Sequence, residues 1–168
     1  MTVRQTVEDL GIDGVRYERL QAHGDERGRF TEIFRARAFP EHLLQANHSV
    51  SRSGVLRGLH YHHNQADLWY VVTGRAQVAL ADLRRGTGSP KTATVVLDGD
   101  SPANLYIPPG VAHGFLALTD LNLIYWVTQE YDGSDEYGVA WNDDILSIPW
   151  ENADPILSER DAGNPKLS

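Results

Sequence analysis

His60 and His62 stand two residues apart, and side chains two apart on an extended strand project from the same face, so one strand would present two imidazoles to one surface. The polar run His63-Asn64-Gln65-Ala66 follows. A turn there would let the returning strand bring the Asp67 carboxylate back toward the rings. Beyond the turn signal Pro108-Pro109-Gly110, His113 supplies a further imidazole. Imidazole beside carboxylate suits two chemistries. A histidine supported by a carboxylate is a general base near neutral pH. His60, His62, Asp67 and His113 together are also a ligand set for iron, manganese, nickel or zinc, with positions left open for substrate. The two readings part at His60, which is a free base in one and a ligand in the other.

The rest of the chain must position these groups, and its composition narrows what it can be. With 168 residues there is enough chain for a full hydrophobic core, read here as one domain over residues 1–168. The absence of cysteine removes disulfides, thiolate nucleophiles and zinc sites of the cysteine type. A formal charge of −8 argues against a nucleic-acid surface, which wants a basic patch, and leaves any anionic ligand to a few placed arginines. The first residues carry charges where a secretory signal would be apolar, and no later run approaches a membrane span. The chain therefore reads as a soluble, cytoplasmic protein that binds neither nucleic acid nor membrane.

From residue 67 onward the pattern is β. Runs at 68–73, 76–83, 94–97, 104–107, 112–118 and 121–130 are rich in Val, Leu, Ile, Tyr and Trp. They are separated by Gly74-Arg75, Arg85-Gly86-Thr87-Gly88-Ser89-Pro90, Asp98-Gly99-Asp100, Pro108-Pro109-Gly110 and Thr119-Asp120. Short strands with no helical pattern between them predict an all-β sandwich or barrel. Upstream, Val15, Tyr17 and Leu20 indicate a strand. Phe30 to Phe34 suits a strand or the start of a helix, and 35–44 holds at most a short helix because Pro40 interrupts it. Residues 45–51 alternate, as on a strand with one wet face. The tail from Trp141 loses this rhythm and is expected to wrap the outside or close one end.

Several blocks carry a family resemblance. Gly54, His60, His62, Asp67 and Gly74 have the spacing of the first cupin motif, with Asp for the usual Glu, and Pro108-x-Gly110-x-x-His113 fits the second. The chain thus resembles a cupin, an all-β double-stranded β-helix or jelly-roll barrel with a few short helices. Asp25-Glu26-Arg27-Gly28 with Phe30 and Glu32, Gln45-x-Asn47-x-Ser49, Leu56-Arg57-Gly58-Leu59-His60-Tyr61, Ala112-His113-Gly114-Phe115, Tyr131, Glu136-x-Gly138-Val139-x-Trp141 and Ile156-Leu157-Ser158-Glu159-x-Asp161 resemble, in order, the dTDP-4-dehydrorhamnose 3,5-epimerase family.

That resemblance implies an isomerase that takes a proton from the carbon beside the ketone of a dTDP-linked keto-deoxysugar, at C3, C5 or both, and returns one to the opposite face. It implies His60 as base, Asp161 as the carboxylate behind it and Tyr131 as acid. Arg27, Glu32, Gln45, Asn47, Arg57, His113 and Glu136 would line the substrate site, with no metal and no organic cofactor. It further implies a homodimer, for which the aromatic strands at 68–72 and 121–127 would supply apolar faces. The sequence departs from the family where a longer loop usually leads into Gln-Gly-Lys-Leu-Val-Arg, for here Gln65-Ala66-Asp67-Leu68-Trp69-Tyr70 puts an anion in the place of that lysine. The metal-dependent alternative and a non-catalytic sugar-nucleotide-binding role follow from the same departure.

Overall fold

A computed structural model describes residues 6–39, 41–84 and 89–168; the first residues, Pro40 and the 85–88 part of the expected turn lie outside them. The chain forms β1 (Thr6–Glu8), β2 (Arg16–Arg19), β3 (Ala22–Asp25), β4 (Gly28–Thr31), a single 3-10 turn at Ala36–Ala38, β5 (Gln45–Ser51), β6 (Leu56–Tyr61) and β7 (Asp67–Thr73). After these come β8 (Arg75–Asp82), β9 (Thr92–Asp98), β10 (Ala103–Ile107), β11 (Val111–Ala117), β12 (Leu121–Val127), β13 (Tyr137–Gly138) and the short helix α1 (Glu159–Ala162).

Two antiparallel sheets face each other, one ordered β1-β2-β10-β7-β12-β5 and the other β13-β6-β11-β8-β9, with β3 and β4 paired apart from both. This is the expected jelly roll. Each run anticipated from 68 onward is a strand, with ends shifted by a few residues. The last one ends at Val127; at the next position Thr128 still meets Ala66, its N–H donating to Ala66 O and its Oγ accepting from Ala66 N. The alternative left open at Phe30 resolves as a hairpin strand.

Period-two alternation explains the packing. On β7, Trp69 and Val71 point between the sheets, where they meet Leu105, Leu123, Val78, Leu80 and Phe115 in the main core. Leu68 points to the other face and packs with Tyr106 against Phe34, Phe39, Leu43 and Trp126. Burying side chains of this size stabilises the fold by about 1.5–3 kcal/mol each. The tail from Trp141 covers the outer face of the five-stranded sheet, where Leu146, Ile148, Trp150 and Leu167 pack on Leu59, Ala79, Ala81 and Ala112.

β7 and β12, the strands expected to supply a dimer face, lie inside their sheet; Leu68, Trp69, Val71, Leu121, Leu123 and Val127 are each at most 6 % exposed, while Val72, Ile124, Tyr125 and Trp126 keep partial exposure. Exposed large apolar side chains also include Phe30 on the separate hairpin, Leu44, Val50 on the edge strand β5, Ile145 and Ile156.

Candidate active site

The site is built around a break in strand alternation. On β11, His113 and Phe115 are two residues apart and share a face, whereas their partners across the ladder, His60 and Arg57, are three apart on β6. One extra residue in β6 therefore makes a bulge, and it brings Arg57 and His60 to the same face. Gly58 sits in the bulge at φ +122°, and a Cβ there would meet Gly114 Cα at 2.6 Å, so the strands approach closely only because both positions are glycine.

Asp161 reaches His60 from the far end of the sequence. Ser158 caps α1, its Oγ accepting from the Asp161 N–H at 3.1 Å, and the helix turns the Asp161 side chain inward until it is 4 % exposed. His60 Nε2 lies 2.6 Å from Asp161 Oδ1, and the Gly58 N–H donates to Oδ2 at 3.3 Å. An ionised carboxylate only accepts, so this contact places the proton on Nε2 and leaves Nδ1 as the basic nitrogen. Burial by itself would raise the Asp161 pKa. The bond and charge of His60, helped by Gly58 and Ser158, outweigh it and hold the carboxyl below its usual range.

His60, Arg57, His113 and Glu136 line a cavity of about 240 Å³ between the sheets, together with His62 and Asp67. Arg57 is steadied by Ser51 Oγ and the Val50 carbonyl, to which its Nε and Nη2 donate. Glu136 is paired with Arg160 at 2.7 Å. Gln45 and Asn47 share a face of β5 with Ser49, which lines the cavity, and the Gln45 amide donates to Asn47 Oδ1 at 2.8 Å.

Gln45, Asn47 and Asp161 are not among the residues that line this cavity, and Tyr131, Arg27 and Glu32 sit on other elements. Tyr131 is 67 % exposed on the loop after β12, with its N–H donating to Gln45 Oε1. It borders an adjoining cavity of about 250 Å³ whose wall shares Gln65 and Glu136 with the first. Arg27 and Glu32 belong to the hairpin region, where Arg27 pairs with Asp25 and Glu32 with Arg35, because β3 and β4 join neither main sheet. Glu32 instead lines a separate cavity of about 590 Å³ with mostly apolar and arginine walls.

Sequence reasoning missed Tyr125 and Trp69 as site residues, reading their strands as apolar faces for a dimer. Trp69 is in phase with Asp67 on β7 and Tyr125 with Leu123 on β12, but period two does not separate a cavity wall from a core. Burial, reinforced by the nearby charges of Asp67 and Glu136, raises the Tyr125 pKa.

The four-ligand metal set is corrected to three. His60 is turned to Asp161, while the donor atoms of His62, Asp67 and His113 lie within 4.8 Å of one another and all three side chains are buried. Burial pushes the His113 imidazole down to about 4 in spite of Asp67, so its 3.8 Å approach to that carboxylate is made by a neutral ring at pH 7. The Trp69 indole N–H donates to Asp67 Oδ2 at 3.1 Å and the Gln65 amide to Oδ1 at 2.9 Å.

A family model described as dTDP-4-dehydrorhamnose 3,5-epimerase matches residues 9–168. The chain is 42 % identical over 145 residues to the spore coat polysaccharide biosynthesis protein SpsL of Bacillus subtilis, covering 83 % of this chain and 96 % of that one. It is 39 % identical over 165 residues to a dTDP-4-dehydrorhamnose 3,5-epimerase of Pseudomonas aeruginosa, covering 90 % of each. The crystal structure of a dTDP-4-dehydrorhamnose 3,5-epimerase from Bacillus anthracis with TDP and PPi bound superposes with a TM-score of 0.91 at 31 % identity, over 98 % of this chain and 100 % of that one.

Proposed function

The chain belongs to the dTDP-4-dehydrorhamnose 3,5-epimerase family, and from that premise we propose that it epimerises a dTDP-linked 4-keto-6-deoxyhexose. The observation that carries this reading is the His60–Asp161 pair, with His60 in the cavity wall and its basic nitrogen left free.

The carbon beside the ketone gives its proton to His60 Nδ1, and the electron pair of the broken C–H bond moves through the carbon skeleton onto the ketone oxygen as an enolate. Asp161 stabilises the imidazolium that results, as a carboxylate behind a catalytic imidazole does. Arg57, with a guanidinium nitrogen not engaged by Ser51 or Val50, offers positive charge to the enolate or to the diphosphate, whose oxygens its planar fork fits. A proton then returns to the opposite face of the carbon. Tyr131 is the proposed donor, and its exposed loop must close over the cavity for its hydroxyl to reach. Only protons move, so the step requires no redox cofactor.

We also place the protein in the cytoplasm, with residues 1–168 acting as one domain and the working unit a homodimer. Support for the dimer comes from Phe30, 70 % exposed on the hairpin, and Val50, 60 % exposed on the open edge of β5. A substrate role for Arg27 and Glu32 requires the hairpin to reach the cavity of a second copy.

The test is exchange in deuterated water. Chelator-treated protein should put deuterium into C3, C5 or both of dTDP-4-keto-6-deoxyglucose, read carbon by carbon by NMR, and the His60→Asn variant should not. Absence of exchange in the unmutated protein with this and related dTDP-keto-sugars would overturn the reading.

A further inference from the structure

The geometry points to a site for one divalent first-row transition-metal ion on His62, Asp67 and His113, beside the base but separate from it. Three independent features converge on it.

The first is the set of donors. Two imidazole nitrogens and a carboxylate oxygen lie within 4.8 Å of one another, a separation that small side-chain rotations can close onto a shared ion with nitrogen and oxygen bonds near 2.1 Å. Two histidines and one carboxylate suit zinc, iron, cobalt or nickel and leave coordination positions open.

The second is what holds the rings. His62 Nδ1–H donates to the Asp135 carbonyl at 2.6 Å, and His113 Nδ1–H donates to the Val111 carbonyl at 3.0 Å. A carbonyl only accepts, so both rings carry their proton on Nδ1 and keep the lone pair on Nε2. Metal-bound histidines are commonly held this way, with the far N–H tied to an acceptor. Asp135 braces the arrangement further, because its carboxylate accepts from the His63 and Asn64 N–H groups and pins the turn that carries His62.

The third is a buried charge without a cation. Asp67 is 3 % exposed, and its two oxygens accept from the neutral donors Gln65 and Trp69. Among the described residues no lysine or arginine pairs with it, and the ionisable groups near it are the imidazoles of His62 and His113 and the phenol of Tyr125. Taking an unpaired carboxylate out of water is costly, and a bound dication would compensate it where a neutral hydrogen bond cannot.

His60 does not belong to this set, since its Nε2 is held by Asp161. Because His113 is its cross-strand partner, the ion would add positive charge next to the base. That role, favouring negative charge on the substrate, rests on the epimerase reading. The binding site itself does not.

The experiment is a titration of chelator-stripped protein with Co2+ in the absence of substrate. One equivalent should bind, with visible d–d absorption of a low-coordinate ion and a rise in melting temperature. Zn2+ should displace it. Asp67→Asn and His62→Gln should each weaken Co2+ binding by more than about 100-fold, beyond the 10–100-fold that outer-shell changes cost. Without metal, Asp67→Asn should melt no lower than the parent, since it removes a buried charge while keeping the shape; a merely structural aspartate would show the reverse. Binding weaker than about 1 mM, or tight binding that both variants retain, would overturn the site. Failure of the epimerase reading shows instead in the exchange assay, so the two can fail separately.

Discussion

Two histidine–aspartate groups border one cavity, and they differ in what holds the second nitrogen of each ring. At His60 the acceptor is the Asp161 carboxylate itself, so ring and acid form a pair whose free nitrogen is a supported base. At His62 and His113 the acceptors are backbone carbonyls, so the Asp67 carboxylate is left facing two lone pairs. The residue types are the same in both groups. On the proposed reading the orientation of the rings separates proton transfer from metal binding, which is why counting histidines near a carboxylate cannot tell one from the other.

The largest effect should come from removing the proposed base. His60→Asn fills the space and hydrogen-bonds but has no basic site, so deuterium exchange should fall by about 10³-fold or more while dTDP binding, followed by calorimetry, changes little. If exchange survives in His60→Asn and vanishes in His62→Gln, the two groups have their roles reversed.

Asp161→Asn is the sharper probe of the pair. The amide cannot stabilise an imidazolium by charge, and its NH2 can donate to Nε2 and favour the wrong tautomer. Turnover should drop by about 10²–10³-fold with a small change in KM. The corresponding change on the other side, Asp67→Asn, should alter exchange in metal-free protein by less than about tenfold. Equal losses from the two variants would erase the distinction between the groups.

Arg57→Lys keeps the charge but loses the planar fork, and should weaken dTDP-sugar binding by about tenfold without lowering the melting temperature. The smallest effect concerns acid stability. Asp161 has its folded pKa held below the usual value, so its contribution is present above the unfolded value and is lost as pH falls through the lowered one. The parent should therefore lose stability below about pH 4 more steeply than Asp161→Asn, as measured by denaturant unfolding across that range. Matching pH profiles would mean that the His60 contact does not favour the ionised acid.

Much of this arrangement could be read from residue order. Alternation of apolar residues marks the strands from 67 onward, because strand side chains repeat every two residues whatever packs on them. The Ile-Leu-Ser-Glu-x-Asp block pointed to Asp161 although it stands in a polar tail that would by default be solvated. Tyr131, Arg27 and Glu32 were harder to place, since whether an exposed loop or hairpin meets a cavity depends on its path and on neighbouring copies, for which local pattern carries no signal. Trp69 and Tyr125 were hidden for the opposite reason: an aromatic that lines a cavity and one that fills a core have the same period.

By itself, then, the sequence determined the class of fold, the strands and the candidate base and acid. These depend on side-chain period, turn chemistry and residue type, all local properties of the chain. Tertiary structure alone decided that the extra residue at Gly58 turns Arg57 and His60 to one face, that a capped helix a hundred residues later carries Asp161 to His60, and that His62 and His113 are bonded to carbonyls. Those are distances between segments far apart in the chain, set by how the two sheets close on one another, and a hydrogen bond's partner is chosen by that closure.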